Sequence, residues 1–285
     1  MDKSKKWNGA FGTKAMFVAG MAALTLTFGL VTVGCASAPP ISDYAKTEVR
    51  QAQPVAIIDS YLDKEYFPEA KVGFSVGGLL NAASQVARSA ISEQNVEDDE
   101  SKALAAALEG RVAAVLTKGG ITVVPTAQVL GAKYKGTLNG NGAQKNFARY
   151  GTGHAHLANK GSRKNLADAV SAQQLVEVTL VISKPMAGMN LLGPGNGKFI
   201  PTVSLTVSFY DNAGVETSRT TYEVTSTKEV IVAVNVYDAP EFMKQVRFLT
   251  DAAFADFAND YAGIPLASDA VVKKNRVSRK VTPSI

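Results

Sequence analysis

Cysteine is almost missing from this chain: Cys35 is the only one among 285 residues. A disulfide needs a second thiol, so no intrachain bridge can staple the fold, and its core must come from apolar burial. Histidine is nearly as scarce, with His154 and His156 the only two. On a strand they would share a side and could share a metal. No third ligand stands beside them, and Gly151, Gly153, Lys160, Arg163 and Lys164 around them read as a basic loop that opposes a cation. No Gly-Lys-Ser/Thr follows Gly136, Gly140 and Gly142, which excludes a Walker phosphate loop there. No metal and no cofactor is expected.

Charge is missing altogether from residues 15–34, AMFVAGMAALTLTFGLVTVG. Before this run stand Lys3, Lys5, Lys6 and Lys14 against one acid, Asp2. A basic start, an apolar middle and small residues at the end make the layout of a secretory signal, although about 20 apolar residues are also enough for a retained transmembrane helix. Cleavage after Ala36-Ser37-Ala38 fits the small-residue rule but would leave Pro39 as the first residue. Thr32-Val33-Gly34-Cys35 resembles the lipobox of bacterial lipoproteins, in which a dedicated peptidase cuts before a lipid-modified cysteine. The resemblance implies a signal peptide over 1–34 and lipidation at Cys35. It also implies a typical load of three acyl chains, enough for a firm anchor where one chain is marginal. Ala36 after the cysteine is similar to the Gram-negative pattern for the outer membrane, so the expected location is there, lipid-anchored and facing the periplasm.

Without residues 1–34 the chain keeps 26 basic and 24 acidic residues, and its net charge falls from +5 to +2. The overall basicity therefore says little about nucleic acid, which is not an expected partner. Residues 35–53 read as a flexible tether, about 60 Å when extended and roughly 25 Å as a coil. The globular part is expected over 54–265, with a basic Gly-rich insertion at 131–166 and a disordered basic tail at 266–285.

Within that part, Val55 to Ile58 suit a buried strand. Apolar residues recur at helical spacing over 74–92, and the acidic run Glu97-Asp98-Asp99-Glu100 leads into a second helix that ends at Gly119-Gly120. Ile121 to Val124 form a second strand, Leu166 to Gln173 a short helix, and Leu175 to Ser183 a third strand. Val203, Leu205, Val207 and Phe209 alternate with polar residues, and Asp211 to Gly214 turn the chain into a return strand over Val215 to Lys228. Val230 to Val236 suit a further strand. Asp238 and Pro240 start a last helix, which Gly263 and Pro265 stop. The expected fold class is α+β: one domain with a mixed, mainly antiparallel sheet packed by amphipathic helices. The strand at Val55–Ile58, the helix ending at Lys118-Gly119-Gly120, the strand at Ile121–Val124 and the late hairpins closed by a helix look like one known α/β envelope domain. It is shared by the curli-secretion lipoprotein CsgG, the N-terminal domain of TolB and the lipoprotein activators of penicillin-binding proteins.

Gly73-Phe74-Ser75-Val76-Gly77 matches the nucleophile elbow of serine hydrolases, with Asp98 or Asp99 and then His154 in the right chain order. The elbow needs a strand before it, and Pro68 spoils one. No catalytic residue is assigned. Lys133, Lys135, Lys145, Arg149, Lys160, Arg163 and Lys164 have no acid among them over 131–166 and could meet an anionic lipid, a glycan or a partner. The almost uncharged helix 74–92, with Leu79, Leu80 and Val86, and the greasy connection with Met189, Leu191 and Leu192 could touch a membrane or another subunit. The expected function is a non-enzymatic binding or assembly component of the envelope, with a protein partner or self-association. The alternative is a membrane-active lipoprotein using helix 74–92 and residues 186–192.

Overall fold

The computed structural model describes residues 51–65, 80–125, 137–141, 147–153, 160–187, 197–233 and 236–284. Cys35, the Gly73–Gly77 motif, Leu79, Lys133, Lys135, Lys145, both histidines, Met189, Leu191 and Leu192 lie outside these residues.

A nine-stranded mixed sheet organises the chain. In chain order its members are β1 (Val55–Glu65), β2 (Val123–Val124), β3 (Thr137–Asn141), β4 (Phe147–Gly153), β5 (Gln174–Ser183), β7 (Thr202–Asp211), β8 (Glu216–Ser226), β10 (Val271–Lys273) and β11 (Arg276–Val281). The spatial order is β10-β11-β8-β7-β5-β1-β4-β3, with β2 beside the start of β1. β1 runs parallel to β2 and β5, and β11 runs parallel to β8; the other pairings are antiparallel. Two short strands, β6 (Gly197–Phe199) and β9 (Val230–Val232), pair apart from this sheet. Three helices, α1 (Leu80–Lys118), α2 (Lys160–Val170) and α3 (Ala239–Ala262), complete the described elements. The expected α+β class, with a mainly antiparallel sheet under packed helices, is what the chain adopts.

The main core lies between one sheet face and α1 with α3. Leu108, Val112 and Leu116 of α1 and Phe242, Val246, Leu249, Ala253 and Phe257 of α3 meet Val178, Leu180, Val203, Leu205, Val207 and Tyr222 there. A smaller core on the opposite face joins Ala56, Ile58, Leu175 and Tyr210 to Leu166, Ala167 and Val170 of α2. Both faces of the start of β1 are therefore buried, which is why Val55 to Ile58 form an unbroken apolar run. The end signals of α3 act as read: the Asp238 side chain accepts from the Glu241 N–H at 2.8 Å, and Gly263 closes the helix in the left-handed conformation.

Three expectations change. The acidic run does not begin a new helix; α1 passes through it as one element of 39 residues, about 58 Å long. Residues 131–166 are not one long loop, since they hold the β3–β4 hairpin and the start of α2. Their glycines hid the strand alternation, and one of them is required: Gly151 has φ 151°, and a Cβ there would overlap Ser60 O and lie 2.9 Å from Tyr61 Cα. The tail, expected to be disordered over 266–285, is ordered across its described residues, 266–284. β11 covers the edge of β8, Val277 enters the main core, and Arg279 donates to Asp256 of α3 at 2.8 Å. Five tail cations pointed to solvent in the sequence; Lys273, Lys274, Arg276 and Lys280 do stay exposed, while Arg279 reaches the buried Asp256 from the strand that covers the β8 edge.

Candidate functional site: buried charges where α1 crosses the end of the sheet

β1 carries a register shift between Ile57 and Asp59. Before it Val55 and Ile57 face the main core; after it Leu62 does, and Lys64 two residues on. The bulge thus aims Lys64 at α1. Without it Asp63 and Glu65 would face the helix, where Glu97 and Asp98 stand, and like charges would meet.

Lys64 is 1% exposed and pairs with Asp98, with Glu97 Oε1 at 3.7 Å. Lys184, just past β5, places its Nζ 2.7 Å from Glu97 Oε1 and donates to Glu65 O at 3.0 Å, while its N–H donates to Glu65 Oε2 at 2.7 Å. Tyr237 donates its hydroxyl to Glu97 Oε2, and Tyr150 of β4 donates to Asp98 Oδ1 at 3.0 Å. The Lys184 ammonium also sits 5.0 Å from the centre of the Phe242 ring and 5.3 Å from that of Tyr237. Burial lowers the Lys184 pKa from its ordinary value, and the Glu97 charge opposes that shift. Two ammonium groups and their carboxylates are therefore neutralised inside protein. An acid of the hydrolase order, Asp98, is engaged here with Lys64 and Tyr150.

The face of the sheet away from α1 carries the second group. Arg149 of β4 grips Asp63 through two bonds of 2.7 Å and lies 4.9 Å over the Tyr61 ring. Tyr61 donates to Asp59 at 2.8 Å, and burial, followed by the Asp59 charge, pushes its pKa far up. Arg163 of α2 stacks 3.9 Å over Tyr210, and Lys164 pairs with Asp168 at 2.6 Å. Of the seven expected anion-contacting residues, the three whose side chains are described do not gather at one place: Arg149 stands apart from Arg163 and Lys164. Asp63, the partner of Arg149, is seven residues along β1 from Ala56 in the core under α2, about 23 Å. Arg149, Arg163 and Lys164 each have a partner within the fold. Lys160 opens α2, while Leu80 and Val86 lie in the first turns of α1.

An open groove beside the start of α3 is lined by Lys198, Lys228, Glu229, Ile231, Asp238 and Glu241. Several of its charges are engaged, with Lys198 on Glu229 at 2.8 Å and Asp238 capping α3. Among the described residues no group of three metal-capable side chains occurs.

Sequence reasoning missed Lys64, Lys184 and Tyr237 altogether, and saw Tyr150 only as an aromatic among the basic residues of 131–166. One signal was available: four successive acids inside a helical stretch demand cations from elsewhere. A scan against models of known protein families finds none that matches the chain, and a search of curated proteins finds no match.

Proposed function

We propose that the protein is an envelope lipoprotein, acylated at Cys35, held at the outer membrane and facing the periplasm, where its α+β domain serves as a non-enzymatic binding or assembly component. The observation that carries this reading is Thr32-Val33-Gly34-Cys35 closing an uncharged run behind four lysines. Its structural support is indirect. The described ionisable clusters, Lys64–Glu97–Asp98–Lys184 and Asp63–Arg149, are closed on themselves, which favours a scaffold over a chemical centre.

Intact mass of the mature protein tests it. The expected first residue is Cys35 carrying acyl chains, and Cys35→Ser should move the protein from the membrane to the soluble fraction. A mature chain with an unblocked first residue other than Cys35 overturns the reading.

A membrane-active role is the second reading. It is favoured by the placement of α1, which continues for 17 residues ahead of Glu97 at the end of the sheet where the chain also leaves β5, with Met186 44% exposed. Acyl-free protein should then sediment with anionic vesicles at low salt, and failure to do so ends this second reading.

A further inference from the structure

We propose that α1 is a two-state element: Lys64 and Lys184 hold it as one helix across the end of the sheet, and when they let go it divides at Glu97–Glu100 into two.

The buried face of α1 changes character along its length. From Ala105 onward it is apolar, with Ala105, Leu108, Val112 and Leu116 in the main core. Ahead of these, among the described side chains from Asn95 on, the buried residues are Glu97 and Ser101, and the Ser101 hydroxyl has no hydrogen-bond partner. Asn95 and Val96 are exposed. The middle of the helix is thus held by charge where its second half is held by apolar packing.

Four acids in a row are poor company inside a helix, because like charge is crowded on adjacent positions and Glu97 and Glu100 stand three apart, where they repel. At a helix N-terminus the same acids are favourable, since they face unbonded N–H groups and the positive end of the dipole. The local preference of Glu97–Glu100 is therefore to begin a helix. The fold overrides it by giving each acid a cation: Lys184 and Lys64 for Glu97, Lys64 for Asp98, Lys102 for Asp99, and Arg247 of α3 for Glu100. Lys102 and Arg247 are half-exposed and contribute little. The two buried lysines carry the override, and removing one partner of a buried pair is costly for the charge left behind. Dividing the helix lets water reach Glu97 and relieves that cost locally.

The device is connected to its surroundings. Lys184 is bonded to Glu65 through both its backbone N–H and its ammonium, and Pro185 and Met186 follow it directly. A force on the chain leaving β5, or on α1 ahead of Glu97, is felt at the same carboxylate. The inference does not depend on the lipid anchor.

Hydrogen exchange of the full chain, read by mass spectrometry, tests it. Lys184→Met should speed exchange over residues 80–100 at least about tenfold and leave 104–118 and β5, β7 and β8 unchanged. Adding Glu97→Gln should return residues 80–100 to near the parent rate, because the stranded charge is gone. Faster exchange over 104–118 to the same degree, no change at all, or no rescue by Glu97→Gln overturns the proposal. Should Lys184→Met fail to fold, Glu100→Gln gives the converse: it removes the one like-charge pair three residues apart in the run, Glu97 with Glu100, and should slow exchange over 80–100 about twofold, and an unchanged or faster rate there overturns it.

Discussion

Lys184 Nζ lies 2.7 Å from Glu97 Oε1, and both side chains are 2% exposed. They stand 87 residues apart in the chain. This contact ties the end of a central strand to the middle of α1.

Burial lowers the Lys184 pKa below its ordinary 10.5. Between the lowered value and 10.5 the unfolded chain holds a proton that the folded chain has lost. Stability therefore rises with pH across that window and is flat below it on this account. Urea denaturation at stepped pH should show the rise, and Lys184→Met should abolish it.

Tyr222 acts in the opposite sense. Its hydroxyl donates to Asp260 at 2.8 Å in a buried setting, and burial followed by the Asp260 charge raises its pKa well above 10.0. Above pH 10 the unfolded phenol ionises while the folded one stays protonated, so stability falls there. Tyr222→Phe should cost about 1–3 kcal/mol at neutral pH, since Asp260 loses a donor, and should make the alkaline fall shallower.

Gly151 and Gly120 separate crowding from backbone strain. Both have positive φ, at 151° and 84°, but a Cβ on Gly120 meets nothing within 4 Å, while one on Gly151 runs into β1. Gly120→Ala should cost about 1–2 kcal/mol. Gly151→Ala should cost more than about 3 kcal/mol and loosen β4 from β1, visible as faster amide exchange over residues 147–153.

The docked tail can be tested through its one buried ion pair. Arg279 is 16% exposed and Asp256 only 3%, and burial raises the Asp256 pKa against the pull of Arg279. Arg279→Ala should leave that carboxylate unpaired, cost about 2–4 kcal/mol, and expose residues 270–284 to protease before the rest of the domain.

Much of this fold could be read locally. The alternation at Val203–Phe209, the turn at Asp211–Gly214 and the cap residues Asp238 and Gly263 lie within a few positions of the structure they specify. The α+β class follows from such signals, because side-chain period and cap chemistry are properties of neighbouring residues. The strands of 131–166 escaped for an equally local reason: Gly140, Gly151 and Gly153 have no side chains with which to alternate.

Charge behaved differently. In the sequence Glu97–Glu100 is a helix start and the residues after 266 are a solvated tail, and both readings are sound for an isolated segment. Folding brings Lys64, Lys184 and Arg247 to the first and Asp256 to the second, across gaps that leave no trace in local composition. Apolar patterning laid down the strands, helices and core from within each segment. Whether α1 is one helix or two was settled by ion pairs between distant residues, because a buried charge is tolerable only where its partner is; the tail joins the sheet through the β8 edge, Val277 and the Arg279–Asp256 pair together.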